Sequence, residues 1–194
     1  GTCTFYGTAN SNQMLMEIMG LHLPSSSFVN PDTPLRDALT EGAVKQLIQN
    51  IDPNQFKPLY QIVDVKNIVN GIIGLLATGG STNHTLHLVA IAKAAGILIN
   101  WDDFSDLSKY IPSITKVYPN GKADINHFHA AGGMPFVIRT LLDHGLLHRD
   151  VHTIVGDDMY DYTKEAKLIN NQLSFVDGPD HSHDEEVIRP VDSR

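Results

Sequence analysis

Two short stretches of this chain carry residue types that can do chemistry. The first is Gly1-Thr2-Cys3-Thr4-Phe5-Tyr6-Gly7-Thr8-Ala9-Asn10-Ser11-Asn12-Gln13. It sets the one cysteine among glycines, small residues and side-chain donors, just ahead of a helical pattern. That setting suits a thiolate held on a metal or cluster. A single thiolate cannot hold an iron–sulfur cluster, so such a role needs further ligands from elsewhere. The competing reading of Cys3 is an ordinary buried thiol. The second stretch is Gly79-Gly80-Ser81-Thr82-Asn83-His84. Backbone N–H groups and hydroxyls at a helix start suit an anion such as a phosphate or carboxylate. The same residue types also build a helix C-cap followed directly by an N-cap. His84 is a candidate contact to a phosphate or hydroxyl of a ligand. His87, one turn on, reads as a hydrogen-bonded core or interface histidine.

Other candidates are weaker. His127 and His129 diverge if they lie on a helix, which argues against a shared metal. The run His181-Ser182-His183-Asp184-Glu185-Glu186 reads as a solvated tail with at most weak affinity for a divalent ion. Nothing in their spacing singles out Lys122 or Arg139 for a phosphate.

The elements that must position these residues are mostly helices. Asn10 or Ser11 can cap a helix to about Met19, with Gln13 as a capping-box partner. Asp32 or Thr33, then Pro34, starts a second helix whose apolar positions include Leu39, Leu47, Ile48 and Ile51. A third follows Asp64; it is apolar nearly all round and should be buried. Gly79-Gly80 ends it, and Ser81 or Thr82 caps a fourth to about Ala95. Ile97–Asn100 and Val151–Val155 read as short strands, the first of them buried. Asp102 or Asp103 caps a short helix to about Tyr110, and Ile114–Val117 reads as extended. Pro119-Asn120-Gly121 is a turn. Helices follow near Ile125–Ala130, Pro135–His144 and 158–168. Residues 176–194 read as an acidic linker. The expected fold class is a helix-rich α/β segment with a few short, parallel strands.

The chain has 194 residues, enough for a sizeable core, and carries 14 basic against 22 acidic residues, a net charge of −8. No basic patch with interleaved aromatics is present, which argues against nucleic-acid binding. The apolar stretches are too short and interrupted to span a bilayer. The lone cysteine excludes an internal disulfide and fits the cytoplasm, and no signal peptide opens the sequence. The start inside a loop and the acidic end point to a segment of something longer.

Four ordered blocks resemble the dihydroxy-acid dehydratase / 6-phosphogluconate dehydratase family. They are Gly1–Gly20; Gly79-Gly80-Ser81-Thr82-Asn83 with Leu86-His87-Leu88; Pro119-Asn120-Gly121-Lys122 with His129-Ala130-Ala131-Gly132-Gly133-Met134-Pro135; and Gly145-Leu146-Leu147. Thr4–Gln13, Ser27–Pro31 and His84-Thr85 place the spelling nearer the sugar-acid branch than the branched-chain one. The resemblance implies a hydro-lyase that converts 6-phosphogluconate to 2-keto-3-deoxy-6-phosphogluconate in the Entner–Doudoroff pathway. It further implies Cys3 as one of three ligands of a 4Fe–4S or 2Fe–2S cluster, Mg2+ in the intact enzyme, and a homodimer. It places the catalytic base outside this chain, and Ser81, Thr82, Asn83 and His84 are the expected substrate contacts at the helix start. On this reading residues 1–175 are the later part of an N-terminal cluster-binding domain, 176–194 lead toward a second domain, and the segment alone is inactive. A dihydroxy-acid or other sugar-acid dehydratase is the alternative within the family. A non-catalytic helical binding module is the alternative outside it.

Overall fold

The computed structural model describes residues 3–192. Gly1 and Thr2, at the head of the cysteine block, and Ser193 and Arg194, at the end of the expected linker, lie outside them. The helices are α1 (Thr8–Ile18), α2 (Pro34–Asn50), α3 (Leu59–Ile62), α4 (Val65–Thr78), α5 (Thr82–Ala94), α6 (Trp101–Ser108), α7 (Ile125–Ala130) and α8 (Gly133–Asp143). A 3₁₀ turn (Met159–Thr163) then leads into β1 (Lys164–Ile169) and β2 (Gln172–Asp177).

α4 is the central helix. Asp64 caps it by accepting from the Asn67 N–H, and Gly79, in the left-handed conformation at φ 68°, closes it. It is buried on nearly every side, as its composition predicts. Ile73 and Ala77 join the larger core, with α1, α7 and α8. Ile68, Ile72 and Leu75 join a second core with α1, α5 and α6. Thr33 and Ser81 cap α2 and α5 as expected.

The strand expectations need correcting. Ile97–Asn100 forms no strand: the Ile97 N–H closes onto the Ala92 carbonyl as a helix-end bond, and Leu98 points into solvent. Val151–Val155 is also irregular. Its backbone is held by other groups: the Asn67 amide donates to the His152 carbonyl at 3.2 Å and the Ile154 N–H to the Gly20 carbonyl at 2.9 Å. The expected helix at 158–168 is instead the 3₁₀ turn and β1. Asn170 and Asn171 both take positive φ, the turn geometry that specifies a two-residue hairpin. The sheet among the described residues is therefore one antiparallel hairpin, not parallel strands. Of the expected Ile114–Val117 strand, Thr115 and Val117 form only isolated bridges.

Two further differences concern burial. α2 buries Leu39, but Leu47, Ile48 and Ile51 are about 60% exposed. The acidic stretch from 176 is not a freely solvated linker throughout. β2 runs to Asp177, Val187 and Ile188 are buried, and Ile188 bridges to Thr115.

Candidate functional site

The loop carrying Cys3 is pinned from three directions. The Asn10 amide, in the first turn of α1, donates to the Cys3 carbonyl at 3.0 Å and the Phe5 carbonyl at 2.6 Å. The Ile125 N–H donates to the Thr4 carbonyl at 3.0 Å. The Phe5 ring meets Tyr118 edge-on, 5.3 Å between centroids. The thiol itself is exposed and lies 3.9 Å from the Phe5 carbonyl. It opens on a cleft of about 380 Å³ walled by Asn10, Gln13, Ser27, Phe28 and Arg36. An accessible, loosely bonded thiol in a fixed loop is what a soft metal centre needs from one ligand. Among the described residues no three His, Cys, Asp or Glu side chains are grouped to hold a metal ion.

The far wall of that cleft is unusual. Leu23–Val29 has no regular structure, yet every residue in it is buried. Buried irregular backbone has to find partners. Glu17, fully buried on α1, accepts from the Ser25 N–H at 2.6 Å, the Ser27 N–H at 3.0 Å and the Ser27 hydroxyl. Arg36, in the first turn of α2, takes the carbonyls: Nη2 donates to Ser26 and Val29 at 2.6 Å each, and Nε to Val29 at 3.2 Å. An acid and a base thus clamp the loop through its own peptide groups. Burial pushes the Glu17 carboxyl up to about 7, against the pull of its Ser27 and Ser25 donors and of Arg36. Ser27 Oγ also lies 3.0 Å from the Gln13 carbonyl. When Glu17 takes up a proton, the Ser27 hydroxyl can turn to Gln13 and accept from the acid. Both protonation states then keep a hydrogen bond at this contact.

On the opposite side of α1 stands the Gly-Gly-Ser-Thr-Asn-His stretch. Ser81 caps α5, its hydroxyl accepting from the Asn83 N–H at 3.2 Å. Ser11 joins the two helices: its hydroxyl accepts from the Ser81 N–H at 3.0 Å and lies 3.0 Å from His84 Nδ1. Gly80 is where they approach, for a Cβ there would lie 2.4 Å from Ser11 Oγ. At the surface the Asn83 amide donates to Thr8 Oγ1 at 2.7 Å, and His87 Nδ1 meets Asn12 Oδ1 at 2.9 Å.

Thr82 and Asn83 are exposed and Ser81 is partly so, whereas His84 is wholly buried. Burial first, then the neighbouring His87, lowers the His84 imidazole to about 4, with the Gly71 carbonyl opposing. Its Nε2 has no hydrogen-bond partner of normal geometry. The structure therefore puts His84 behind Ser81–Asn83, as a support, rather than beside them on the surface.

Three of the four sequence blocks meet in space. Asn120 donates from its amide to the Gly79 carbonyl at 3.4 Å, so the Pro-Asn-Gly turn lies over the Gly-Gly pair. Ile125 and Tyr118 hold the Cys3 loop, and α1 lies between that loop and α5. The remaining candidates lie elsewhere, and two clefts bring some of them together, His129 with His183 and Arg139 with His183. His127 closes the capping box of α7 with Asp124 and is exposed, while His129 is largely buried and lowered chiefly by that burial. His181 pairs with Asp180 at 2.6 Å and stacks edge-on with His183. Arg139 lies over the Tyr160 ring, away from Cys3, and Lys122 is exposed on its loop.

Glu17 and Arg36 are missing from the residues that sequence reasoning singled out, and Ser27 entered only as part of the family spelling. A signal for Glu17 was present: one carboxylate within the otherwise apolar Met14–Met19, followed by Ser25-Ser26-Ser27. Only the fold shows that the two meet.

Comparison with known proteins adds to this geometry. The family profile described as "Dihydroxy-acid/6-phosphogluconate dehydratase N-terminal" matches residues 1–162. The chain is 58% identical over 193 residues to a phosphogluconate dehydratase of Pseudomonas aeruginosa, covering 99% of this chain and 32% of that protein. It is 58% identical over 189 residues to a phosphogluconate dehydratase of Escherichia coli K12, covering 97% and 31%. A dihydroxy-acid dehydratase of Nostoc is 38% identical over 190 residues, covering 98% and 31%. The chain spans about a third of the length of these curated relatives.

Proposed function

The chain belongs to the dihydroxy-acid/6-phosphogluconate dehydratase family, and on that premise we propose that it is the Cys3-bearing part of an enzyme that removes water from 6-phosphogluconate. One observation carries the choice of substrate. Identity is 58% to phosphogluconate dehydratases from two organisms but 38% to a dihydroxy-acid dehydratase, over nearly the same residues.

The reaction takes the proton from C2 and hydroxide from C3, and the resulting enol tautomerises to the 2-keto acid. Hydroxide is a poor leaving group, and a bound iron–sulfur cluster, in 4Fe–4S or 2Fe–2S form, supplies a Lewis acid for it. Cys3 would hold that cluster in one position, with the other ligands coming from residues outside this chain. Asn10 fixes the Cys3 loop through two carbonyls. The cleft wall of Gln13, Ser27 and Arg36 faces the space beside the thiol. Ser81, Thr82 and Asn83 would meet substrate at the start of α5, with His84 and Ser11 setting their position. Mg2+, a homodimer and a cytoplasmic setting belong to the same reading, which the family membership supports. No helix among the described residues is long and apolar enough to cross a membrane.

The test uses a polypeptide of the relatives' full length that carries this chain. Turnover of 6-phosphogluconate well above that of 2,3-dihydroxyisovalerate is expected; the reverse order would assign it to the other branch. Cys3→Ser should abolish the visible absorbance of the cluster. Unchanged absorbance would favour a non-catalytic module.

A further inference from the structure

We propose that Arg36 is a specificity-determining residue of the Cys3 cleft, there to receive the carboxylate of the acid substrate. This rests on the dehydratase reading and goes beyond it by naming which end of the substrate lies beside Cys3. Among the described residues, Arg36 is the one charged side chain on the lining of the cleft that Cys3 shares. It is only partly buried, and it lines that space. Its hydrogen bonds from Nε and Nη2 go to carbonyl oxygens rather than directly to a carboxylate. The acid that acts on it, Glu17, does so through space from behind the Ser25–Ser27 loop, and its oxygens are occupied by that loop. Within a chain of net charge −8, this is a fixed cation left available to an anion.

The geometry of the reaction says which anion. The bonds that change are at C2 and C3, and the carboxylate is bonded to C2, whereas the phosphate sits three carbons beyond C3. A group on the wall of the cleft that holds the metal-ligating thiol is therefore placed for the carboxylate. The guanidinium cannot move far, because Ser26 and Val29 hold it and α2 anchors its backbone through the Thr33 cap. Such a fixed donor orients the acid group without itself exchanging a proton.

Three ligands separate the possibilities in the full-length, cluster-loaded protein: 6-phosphogluconate, gluconate, which lacks the phosphate, and glucitol 6-phosphate, which lacks the carboxylate. Their dissociation constants are read by calorimetry. Arg36→Lys keeps a cation for the loop carbonyls but loses the planar fork. It should weaken 6-phosphogluconate and gluconate by about tenfold or more, the scale of one charge-assisted hydrogen bond. Glucitol 6-phosphate should be unaffected. Equal weakening of all three would make Arg36 a loop tie only, and weakening confined to the two phosphates would reverse the assignment; either result overturns the proposal. Should the variant fail to fold, the Arg36 side-chain N–H resonance of the unsubstituted protein serves instead. It should shift with gluconate and not with glucitol 6-phosphate, and no shift with gluconate overturns the proposal. These readouts are independent of turnover. An unsubstituted protein that binds gluconate through Arg36 but does not dehydrate 6-phosphogluconate would sink the function and leave the recognition standing.

Discussion

The two sides of α1 solve the same problem with opposite chemistry. On the Cys3 side a buried acid, Glu17, holds backbone N–H groups of a loop that has no secondary structure of its own. On the α5 side a buried base, His84, is held by Ser11 between two regular helices, and the same hydroxyl takes the N–H of the α5 cap. The acid is needed because irregular backbone must be paired with something. The histidine serves to fix the distance between two regular elements. Removing the acid should therefore unmake a piece of structure, and removing the hydroxyl that holds the histidine should only loosen one.

The largest expected effect follows from this. Glu17→Ala leaves the Ser25 and Ser27 N–H groups buried without an acceptor, and should cost about 3 kcal/mol or more in urea unfolding. A loss below about 0.5 kcal/mol would mean that the loop does not depend on Glu17.

The pH dependence should sharpen the contrast. Glu17 is raised from 4.5 to about 7, so the folded chain holds that proton more tightly than the unfolded chain. Its contribution therefore falls as pH rises from about 4.5 to about 7. His84 is lowered from 6.5 to about 4, so the unfolded chain takes the proton first on acidification. Its contribution is lost as pH falls from about 6.5 to about 4. The two slopes oppose each other across nearly one interval. Glu17→Gln should leave a stability that rises with pH there, and His84→Gln one that falls. Two variants with the same slope would contradict this pairing.

Gly80→Ala comes next. Its new methyl would press on Ser11 Oγ, and a cost of about 1–3 kcal/mol is expected from thermal unfolding. Ser11→Ala should cost about 1 kcal/mol, since it removes neutral hydrogen bonds only. If Ser11→Ala proved as damaging as Glu17→Ala, the distinction between the two sides would collapse.

What could be read in the sequence follows the same division. Thr33, Asp64 and Ser81 announce helix starts because a cap acts on the next few residues, and all three cap in the structure. The family blocks were legible for a similar reason: each is a local spelling. Ile97–Asn100, a short apolar run, and Val151–Val155, an alternating one, misled because such runs make a strand only where a neighbouring strand exists, and Asn67 and Gly20 hold the second one instead. The hairpin was missed although Asn170-Asn171 marks its turn. On α2 the helix was legible and its burial was not, since nothing local says that Leu47, Ile48 and Ile51 stay exposed. Cys3 stood out as a rare residue. Glu17 and Arg36 did not, because their role lies in a loop that the chain folds between them.

α1 also has a history within the life of each molecule. Its partners come later in the chain: Ser81 and His84 on α5, Ile125 beside the Cys3 loop, and Ile154 and Tyr162, which bond the carbonyls of Gly20 and His22 just past its end. A ribosome makes this helix before any of them. The helix gains these neighbours only after the residues that carry them have been made, so the Cys3 loop it supports is set in place later than it is synthesised.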